Sequence, residues 1–213
     1  NFYNNFDKLV KEGKNNSLIG SLGLRSQIKY GIKKSNPFCN DPLSYVTKID
    51  LNKLYNFENI FSKTAQDILS DSSVSYRDQG LLTNGVQTSG NFFSLKKVSD
   101  TEIESIIRKE IEKYRIKFKT SKEGVIKSWP SSYKIEGWLV SMQSGGRLEP
   151  HIHETGWITG SIYINVPSKS KFNSGNLVLC LNAKKNIMEM NEDQYSIVDV
   201  VKGNLCLFPS SLH

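Results

Sequence analysis

The spacing of apolar residues predicts helices in the first part of the chain. Positions 1–12 carry apolar residues at helical spacing, and Gly13 ends this pattern. Residues 17–35 are ambiguous, because glycines interrupt a run of small and apolar residues. The turn-rich segment 36–42 is predicted as a loop, and residues 51–69 return to helical spacing.

The clearest predicted helix covers residues 99–119. Ser99 and Glu102 have the spacing of an N-terminal capping box. The apolar side chains that would line one face of this helix are Ile103, Ile106, Ile107, Ile111, Tyr114 and Phe118. We therefore expect this helix to pack against the core along that face.

From residue 129 onward the apolar pattern becomes typical of strands. The segments rich in Val, Ile, Leu and aromatic residues are 138–143, 158–166, 177–181, 195–201 and 204–208. Turn residues separate them at 144–146, 167–175 and 202–203. Because no long helical pattern lies between these strands, an antiparallel sandwich or barrel is favoured over a parallel sheet. The predicted fold class is α+β, with N-terminal helices packed on an all-β core.

Composition narrows the classes of protein that fit. The chain has 213 residues, of which 38% are hydrophobic and 23% charged, so disordered, collagen-like and disulfide-scaffold proteins are excluded. No apolar run approaches the ~18 residues of a membrane span, and the first ten residues lack the pattern of a signal peptide. The three cysteines have no CxxC spacing, which favours reduced thiols. We therefore predict a cytoplasmic protein with no membrane partner.

The net charge of +7 is placed unevenly along the chain. Residues 131–213 carry seven basic and seven acidic residues, whereas the first 130 carry 21 basic and 14 acidic ones. A basic half is compatible with binding to nucleic acid, but a solvated helical surface is favoured. No basic stretch carries the interleaved aromatic residues of a single-strand binder.

The three histidines are the residues that point to chemistry. His151 and His153 lie two positions apart before a predicted strand, and His213 follows another strand. Residues two apart on an extended segment share a face, so both imidazoles could point into one site. Neutral imidazole is the commonest transition-metal ligand in proteins. The pattern therefore predicts a metal site, while its spacing leaves zinc, iron, manganese and nickel open.

The segments that hold these histidines are GGRLEPHIHETGWITGSIYINVP (145–167) and GNLCLFPSSLH (203–213). They resemble the 2-oxoglutarate/Fe(II)-dependent oxygenases, which carry an H-x-H motif, a following W-x-S-G-like strand and a G-x-L-x-L-F-P-S-x-x-x-H segment. Residues 30–46 and 84–93 resemble the lead-in of members that contain tetratricopeptide repeats.

The resemblance implies a double-stranded β-helix, the jelly-roll or cupin-like architecture. It implies a helical and loop lead-in at 1–50 and an oxygenase-like domain at 51–213. In that domain helices would occupy 51–128 and the β-helix core 129–213, without its last strand.

The resemblance also implies the activity. His151, His153 and His213 would be the metal ligands and the catalytic residues. Fe(II) would be the cofactor and 2-oxoglutarate the co-substrate of a dioxygenase that hydroxylates a small-molecule or protein side-chain substrate. Thr159 and Tyr163, on the strand after the histidine pair, would bind 2-oxoglutarate.

Two departures from the family pattern leave parts of the site open. The second ligand is usually a carboxylate, so either three histidines bind the metal or Glu154 or water completes its shell. The basic residue that binds the distal carboxylate of 2-oxoglutarate is expected about ten residues after the distal histidine, beyond His213.

Two other functions fit the same residues. Gly145, His151 and His153 resemble the first cupin motif, although Gly156 and Trp157 replace its expected glutamate. The chain could then be a cupin-type metal-dependent enzyme that does not use 2-oxoglutarate. It could also be a non-catalytic binding module with a basic docking face, to which nucleic acid is a disfavoured partner. The sequence leaves the substrate and the oligomeric state open.

Overall fold

The computed structural model describes residues 2–169, 174–184 and 187–213, without the side chain of residue 187. Helices and antiparallel sheets are mixed in it, which confirms the predicted α+β class. The α-helices are α1 (Phe2–Lys11), α2 (Ser17–Tyr30), α3 (Lys63–Leu69), α4 (Lys96–Ser99), α5 (Ile103–Lys117) and α6 (Gly124–Lys127). A π-helix precedes α3 at Glu58–Ser62, and short 3-10 turns lie at Pro42–Tyr45, Leu51–Lys53, Phe92–Ser94, Ile187–Glu189 and Glu192–Gln194.

The strands form three antiparallel sheets among the described residues. They are β1 (Thr47–Asp50), β2 (Tyr76–Arg77), β3 (Leu82–Thr88), β4 (Val140–Leu148), β5 (Ile158–Ile162), β6 (Leu177–Cys180), β7 (Tyr195–Val198) and β8 (Asn204–Pro209). The sheet orders are β1-β8-β5, β2-β3-β4 and β6-β7. In the first sheet β8 is the central strand, with Leu207 opposite both Thr47 and Gly160.

The β8 side chains alternate between two hydrophobic clusters. Leu205 and Leu207 belong to the larger cluster, to which α3, α4, α5 and α6 contribute buried side chains. Cys206 and Phe208 belong to the smaller cluster, which also holds Leu179 of β6. Since alternate residues of a strand face opposite sides of its sheet, helices cover one face of the β1-β8-β5 sheet and β6-β7 covers the other.

Helix α2 forms where the glycines made the sequence ambiguous. Asn16 caps its start by accepting a hydrogen bond from the backbone N–H of Ile19, and Gly31 ends it in the left-handed conformation. A Cβ at Gly20 would lie 2.9 Å from the Cβ of Phe38, and one at Gly23 would lie 3.0 Å from the side chain of Asn36. These glycines therefore allow α2 to approach the 36–40 loop closely.

The predicted helix at 99–119 starts later than expected. Ser99 ends α4, with its hydroxyl donating to the carbonyl of Lys96, and α5 begins at Ile103 with no side-chain cap from Glu102. The capping-box prediction was therefore wrong. The apolar face was right, since Ile106 and Tyr114 are buried in the larger cluster.

The predicted turn at 144–146 was also wrong. These residues continue β4, which pairs with β3 through a register shift between Thr83 and Gly85. Gly145 has a φ of 75°, a left-handed conformation that costs glycine little. The glycines that the sequence pattern assigned to a turn therefore lie within a bulged strand.

The prediction that helices come first and strands afterwards was incomplete, since the strands β1, β2 and β3 precede residue 129. The predicted strands after that residue correspond to β4 through β8. The predicted separator 167–175 lies partly outside the described residues. The domain division at residue 50 and the closed β-helix stay predictions.

Within the described ranges, no helix combines the length and the apolar character that crossing a membrane requires.

A substitution at Gly124 tests the contact between α6 and the 36–40 loop. A Cβ there would lie 1.9 Å from the carbonyl oxygen of Pro37, so Gly124→Ala should lower the free energy of unfolding by about 1–3 kcal/mol through overpacking. Gly80→Ala is the control, because nothing lies within 4 Å of a Cβ at that position. Urea denaturation of both variants measures the effect, and equal stability of the two would contradict the described contact.

Candidate metal centre

The chain before β5 brings two imidazoles together. The rings of His151 and His153 have centroids 5.2 Å apart, and their Nε2 atoms are 3.3 Å apart. Residues 149–153 form no strand, so the pair is not presented by a regular β-strand edge. The two side chains nevertheless lie close together, and a shared metal site stays a prediction.

The backbone determines which nitrogen of His151 carries the proton. The Nδ1 atom of His151 lies 2.8 Å from the carbonyl oxygen of Glu149. Because a carbonyl only accepts hydrogen bonds, Nδ1 must donate its N–H, which leaves a lone pair on Nε2 of the neutral ring. The nitrogen that faces His153 is thus the one that can bind a metal.

The distance between the two Nε2 atoms fits a shared metal ion. Nitrogens bound to one metal at about 2.0–2.1 Å, with angles between about 90° and 110°, lie roughly 2.8–3.4 Å apart. The observed separation is 3.3 Å, and in the structure it is a hydrogen bond in which His153 Nε2 donates to the lone pair on His151 Nε2. The donor atoms of His151 and His153 therefore fit a metal without a change in their spacing.

The His153 ring is held from its other side by hydroxyl groups. Thr159 Oγ1 lies 3.4 Å from His153 Nδ1 and 2.8 Å from Ser210 Oγ. Trp138 packs on the ring at a centroid distance of 5.7 Å. Burial lowers the pKa of His153, and the nearby His151 lowers it further. His153 is therefore neutral at pH 7, which metal binding requires.

His213 lies beside β6, just beyond the end of β8. Its backbone exchanges two hydrogen bonds of 2.9 Å with Cys180 of β6. Its Nε2 lies 2.9 Å from the hydroxyl oxygen of Ser21, while its Nδ1 is buried and has no hydrogen-bond partner among the described residues. Burial, with contributions from Arg25 and His151, lowers the pKa of His213 to about 4. His213 is therefore a buried, neutral ring at pH 7.

Helix α2 contacts both histidine segments. The Ser17 hydroxyl donates to the backbone carbonyls of Glu154 at 2.8 Å and His153 at 3.1 Å. One helical turn later, Ser21 contacts His213. Neither serine was predicted from the sequence, although their i, i+4 spacing places them on one face of a helix. They lie at least 130 positions from the histidines, so no local motif connects them to the site.

The other predicted site residues have different positions. Thr159 lies at the histidine pair, whereas Tyr163 packs in the smaller cluster. The Glu154 side chain is exposed. Among the described residues, no three His, Cys, Asp or Glu side chains form a group that could hold a metal ion. The structure thus brings His151 and His153 together as a pair, and His213 is not assembled with them into a three-residue group.

Comparison with known proteins identifies the segment that holds this site. Residues 136–213 match the family model described as "Putative 2OG-Fe(II) oxygenase". The family resemblance is confirmed for this segment, which contains all three histidines. The match begins after α6, so helix α2 and its two serines lie outside it. No curated protein matches the chain.

The lowered pKa of His213 predicts how stability depends on pH in protein treated with a chelator. A histidine in the unfolded chain titrates near 6.5 and the folded His213 at about 4, so the unfolded chain binds a proton that the folded one excludes. The contribution of neutral His213 to the stability of the fold is therefore complete above about pH 6.5, and it decreases as the pH falls toward 4. When the pH is lowered from 7 to 5, this effect should reduce the free energy of unfolding by about 1–2 kcal/mol.

The variant His213→Gln isolates this effect, because it removes the titrating ring and keeps a polar side chain. Urea denaturation at the two pH values should show a smaller loss in the variant than in the wild type. An equal loss in both would contradict the buried, neutral state of His213.

Proposed function

We propose that the protein is a non-haem Fe(II)- and 2-oxoglutarate-dependent dioxygenase that hydroxylates a small-molecule or protein side-chain substrate. The observation that carries this proposal is the His151–His153 pair, whose Nε2 atoms face each other at 3.3 Å. The pair lies in the segment that matches the oxygenase family.

The metal would be held by Nε2 of His151 and His153, with His213 as the third ligand. Two observations favour His213 over Glu154 in this role. Within the part of the chain that the structure describes, the buried His213 Nδ1 has no hydrogen-bond partner, whereas Glu154 is exposed. When bound, Fe(II) and 2-oxoglutarate supply the activation of dioxygen and the oxidation of a substrate C–H bond.

The surrounding residues would keep the two rings in their metal-binding orientation. The Glu149 carbonyl holds the proton of His151 on Nδ1, so that Nε2 stays free. With a metal on Nε2 of His153, the proton of this ring would lie on Nδ1, from which Thr159 would accept a hydrogen bond while its own hydroxyl donates to Ser210. Such outer partners fix the ring and strengthen the ligand. We therefore infer that Thr159 acts through His153, and binding of 2-oxoglutarate by Tyr163 remains a prediction.

The fold proposal rests on how the sheets face each other. The β1-β8-β5 sheet and the β6-β7 sheet pack through Cys206, Phe208 and Leu179. Two antiparallel sheets packed in this way are the basic unit of a jelly roll. We propose that they are part of a double-stranded β-helix in a domain that covers residues 51–213, with β1 contributed by the lead-in.

Arg77 is a candidate for binding a carboxylate at the edge of the site. Its guanidinium carbon lies 5.9 Å from the centroid of the Trp138 ring, which in turn packs on His153. Gln87 is the cross-strand partner of Arg77, and no described residue forms a hydrogen bond with its buried Nε2. Directly paired residues share a face of an antiparallel sheet. These donors would suit the distal carboxylate of 2-oxoglutarate.

Replacing the histidine pair tests the proposed metal site. His151→Ala and His153→Ala should each lower the affinity for Fe(II), measured anaerobically by calorimetry, by more than about 100-fold, since even outer-shell losses cost 10–100-fold. Both should abolish Fe(II)-dependent conversion of 2-oxoglutarate to succinate. Glu154→Gln is the control and should retain both properties. Iron binding without succinate formation would favour the cupin-type alternative, and a folded wild type that binds no iron would refute the proposal.

Arg77→Ala tests the carboxylate contact. Loss of a charge-assisted hydrogen bond should raise the KM for 2-oxoglutarate about ten- to 100-fold and leave the affinity for Fe(II) unchanged. Arg147→Ala is a matched control, because this arginine lies on the same sheet and its side chain is 70% exposed and paired with Glu149. A KM that is unchanged in Arg77→Ala would remove Arg77 from the site.

A further inference from the structure

We propose that helices α1 and α2 form a docking surface for single-stranded nucleic acid. This aromatic–basic surface consists of three rings and the two lysines beside them, namely Phe2, Tyr3, Tyr30, Lys29 and Lys34. All five residues lie outside the segment 136–213 that matches the oxygenase family. The inference therefore goes beyond the proposed activity and does not depend on a metal site.

The positive charge of the chain is concentrated around these two helices. Residues 1–36 carry seven basic and two acidic residues, so they hold five of the seven excess positive charges of the whole chain. Asp7, one of the two acidic residues, forms an ion pair with Lys34. Arg25 and Lys29 are both exposed and lie one turn apart on one face of α2. A concentration of positive charge of this kind attracts a polyanion.

Aromatic rings from the two helices meet among these basic residues. Tyr3 near the start of α1 and Tyr30 at the end of α2 have ring centroids 6.2 Å apart. Lys34 Nζ lies 4.9 Å from the Tyr3 centroid, and Lys29 Nζ lies 5.3 Å from the Tyr30 centroid. Because the two tyrosines are distant in sequence, no single stretch of the chain shows this combination.

The exposed rings are suited to stacking with bases. Tyr30 is 53% exposed and Phe2 is 37% exposed. Proteins that bind single strands combine aromatic rings, on which bases stack, with basic side chains that bind the phosphates. In this surface Lys29 lies directly beside the most exposed ring, so one nucleotide could contact both groups. A duplex keeps its bases stacked on each other and would gain only the phosphate contacts.

The packing of α1 favours nucleic acid over an anionic membrane as the partner. An amphipathic helix that binds a membrane inserts its apolar face into the lipid. Phe6, on the apolar face of α1, is only 5% exposed and packs against α2 at Gly23, where an added Cβ would lie 3.0 Å from the Phe6 ring. The face that a membrane requires is therefore partly used inside the protein.

Fluorescence anisotropy with a labelled oligothymidylate of about 20 nucleotides, longer than a typical single-strand site, tests the aromatic contribution. Tyr30→Ala should weaken binding about 5- to 100-fold, because one base loses its stacking partner. Tyr30→Phe keeps the ring and should retain the affinity. Tyr133→Ala is the matched control, because Tyr133 is 36% exposed and lies 5.2 Å from the Arg108 guanidinium in another part of the chain.

The salt dependence of the same binding tests the contribution of charge. Lys29→Ala should weaken binding and reduce the slope of log affinity against log salt concentration by about 0.7, the value for one phosphate contact of a single strand. Lys53→Ala removes the same charge from a side chain that is 81% exposed outside the surface, and it should leave the slope unchanged. Circular dichroism and thermal unfolding check that each variant is folded.

Several results would overturn the proposal. One is a folded wild type that does not bind the oligothymidylate at low salt. Another is wild-type affinity in Tyr30→Ala, or equal losses in Lys29→Ala and Lys53→Ala, since binding would then follow net charge alone. Sedimentation with vesicles of phosphatidylcholine and phosphatidylserine, without binding of the oligothymidylate, would instead identify a membrane surface. None of these measurements uses iron or 2-oxoglutarate, so their failure is separate from a failure of the proposed function.

Discussion

The structure around the candidate site depends on the burial of β8. Each residue from Asn204 to Pro209 is buried, and the strand is hydrogen-bonded to β1 on one edge and β5 on the other. Helices cover one face and β6-β7 covers the other. A strand constrained on four sides cannot shift its register without exposing apolar side chains. Ser210 and His213, which follow this strand directly, therefore have defined positions.

The candidate site joins pieces of the chain that are distant in sequence. His151 and His153 come from the segment before β5, His213 follows β8, and the serines that contact these segments come from α2. The hydrogen bonds that connect the pieces are mostly buried or partly buried. In such surroundings a lost partner costs more than the bond itself contributes. The arrangement thus favours fixed ring orientations, which a metal centre requires.

The features that depend on local sequence patterns could be predicted from the sequence. The strands after residue 129 and the apolar face of α5 follow from hydrophobic periodicity, and the pairing of His151 with His153 follows from their spacing. The motif around them also identified the family that residues 136–213 match. The start of α5 was wrong, because Ser99 is used to end a preceding short helix.

The features that could not be predicted depend on tertiary contacts between distant parts of the chain. Gly20 and Gly23 lie inside α2 because close contact with Phe38 and Asn36 needs residues without side chains, and no sequence pattern shows that contact. Gly145 lies in a bulge of β4, between Met142 and Arg147, which both pair with β3. Nothing in the sequence distinguishes Ser17 and Ser21 from other helix residues, because their contacts with the His153 carbonyl and the His213 ring exist only in the folded chain.

The central claim is that the histidines of two distant segments hold one metal ion. Anomalous diffraction from crystals grown anaerobically with Mn(II) and 2-oxoglutarate tests it most directly. We expect one anomalous peak that is shared by the facing Nε2 atoms of His151 and His153 and by the ring of His213. A well-ordered structure with no peak between these rings, or with the metal bound elsewhere, would contradict it.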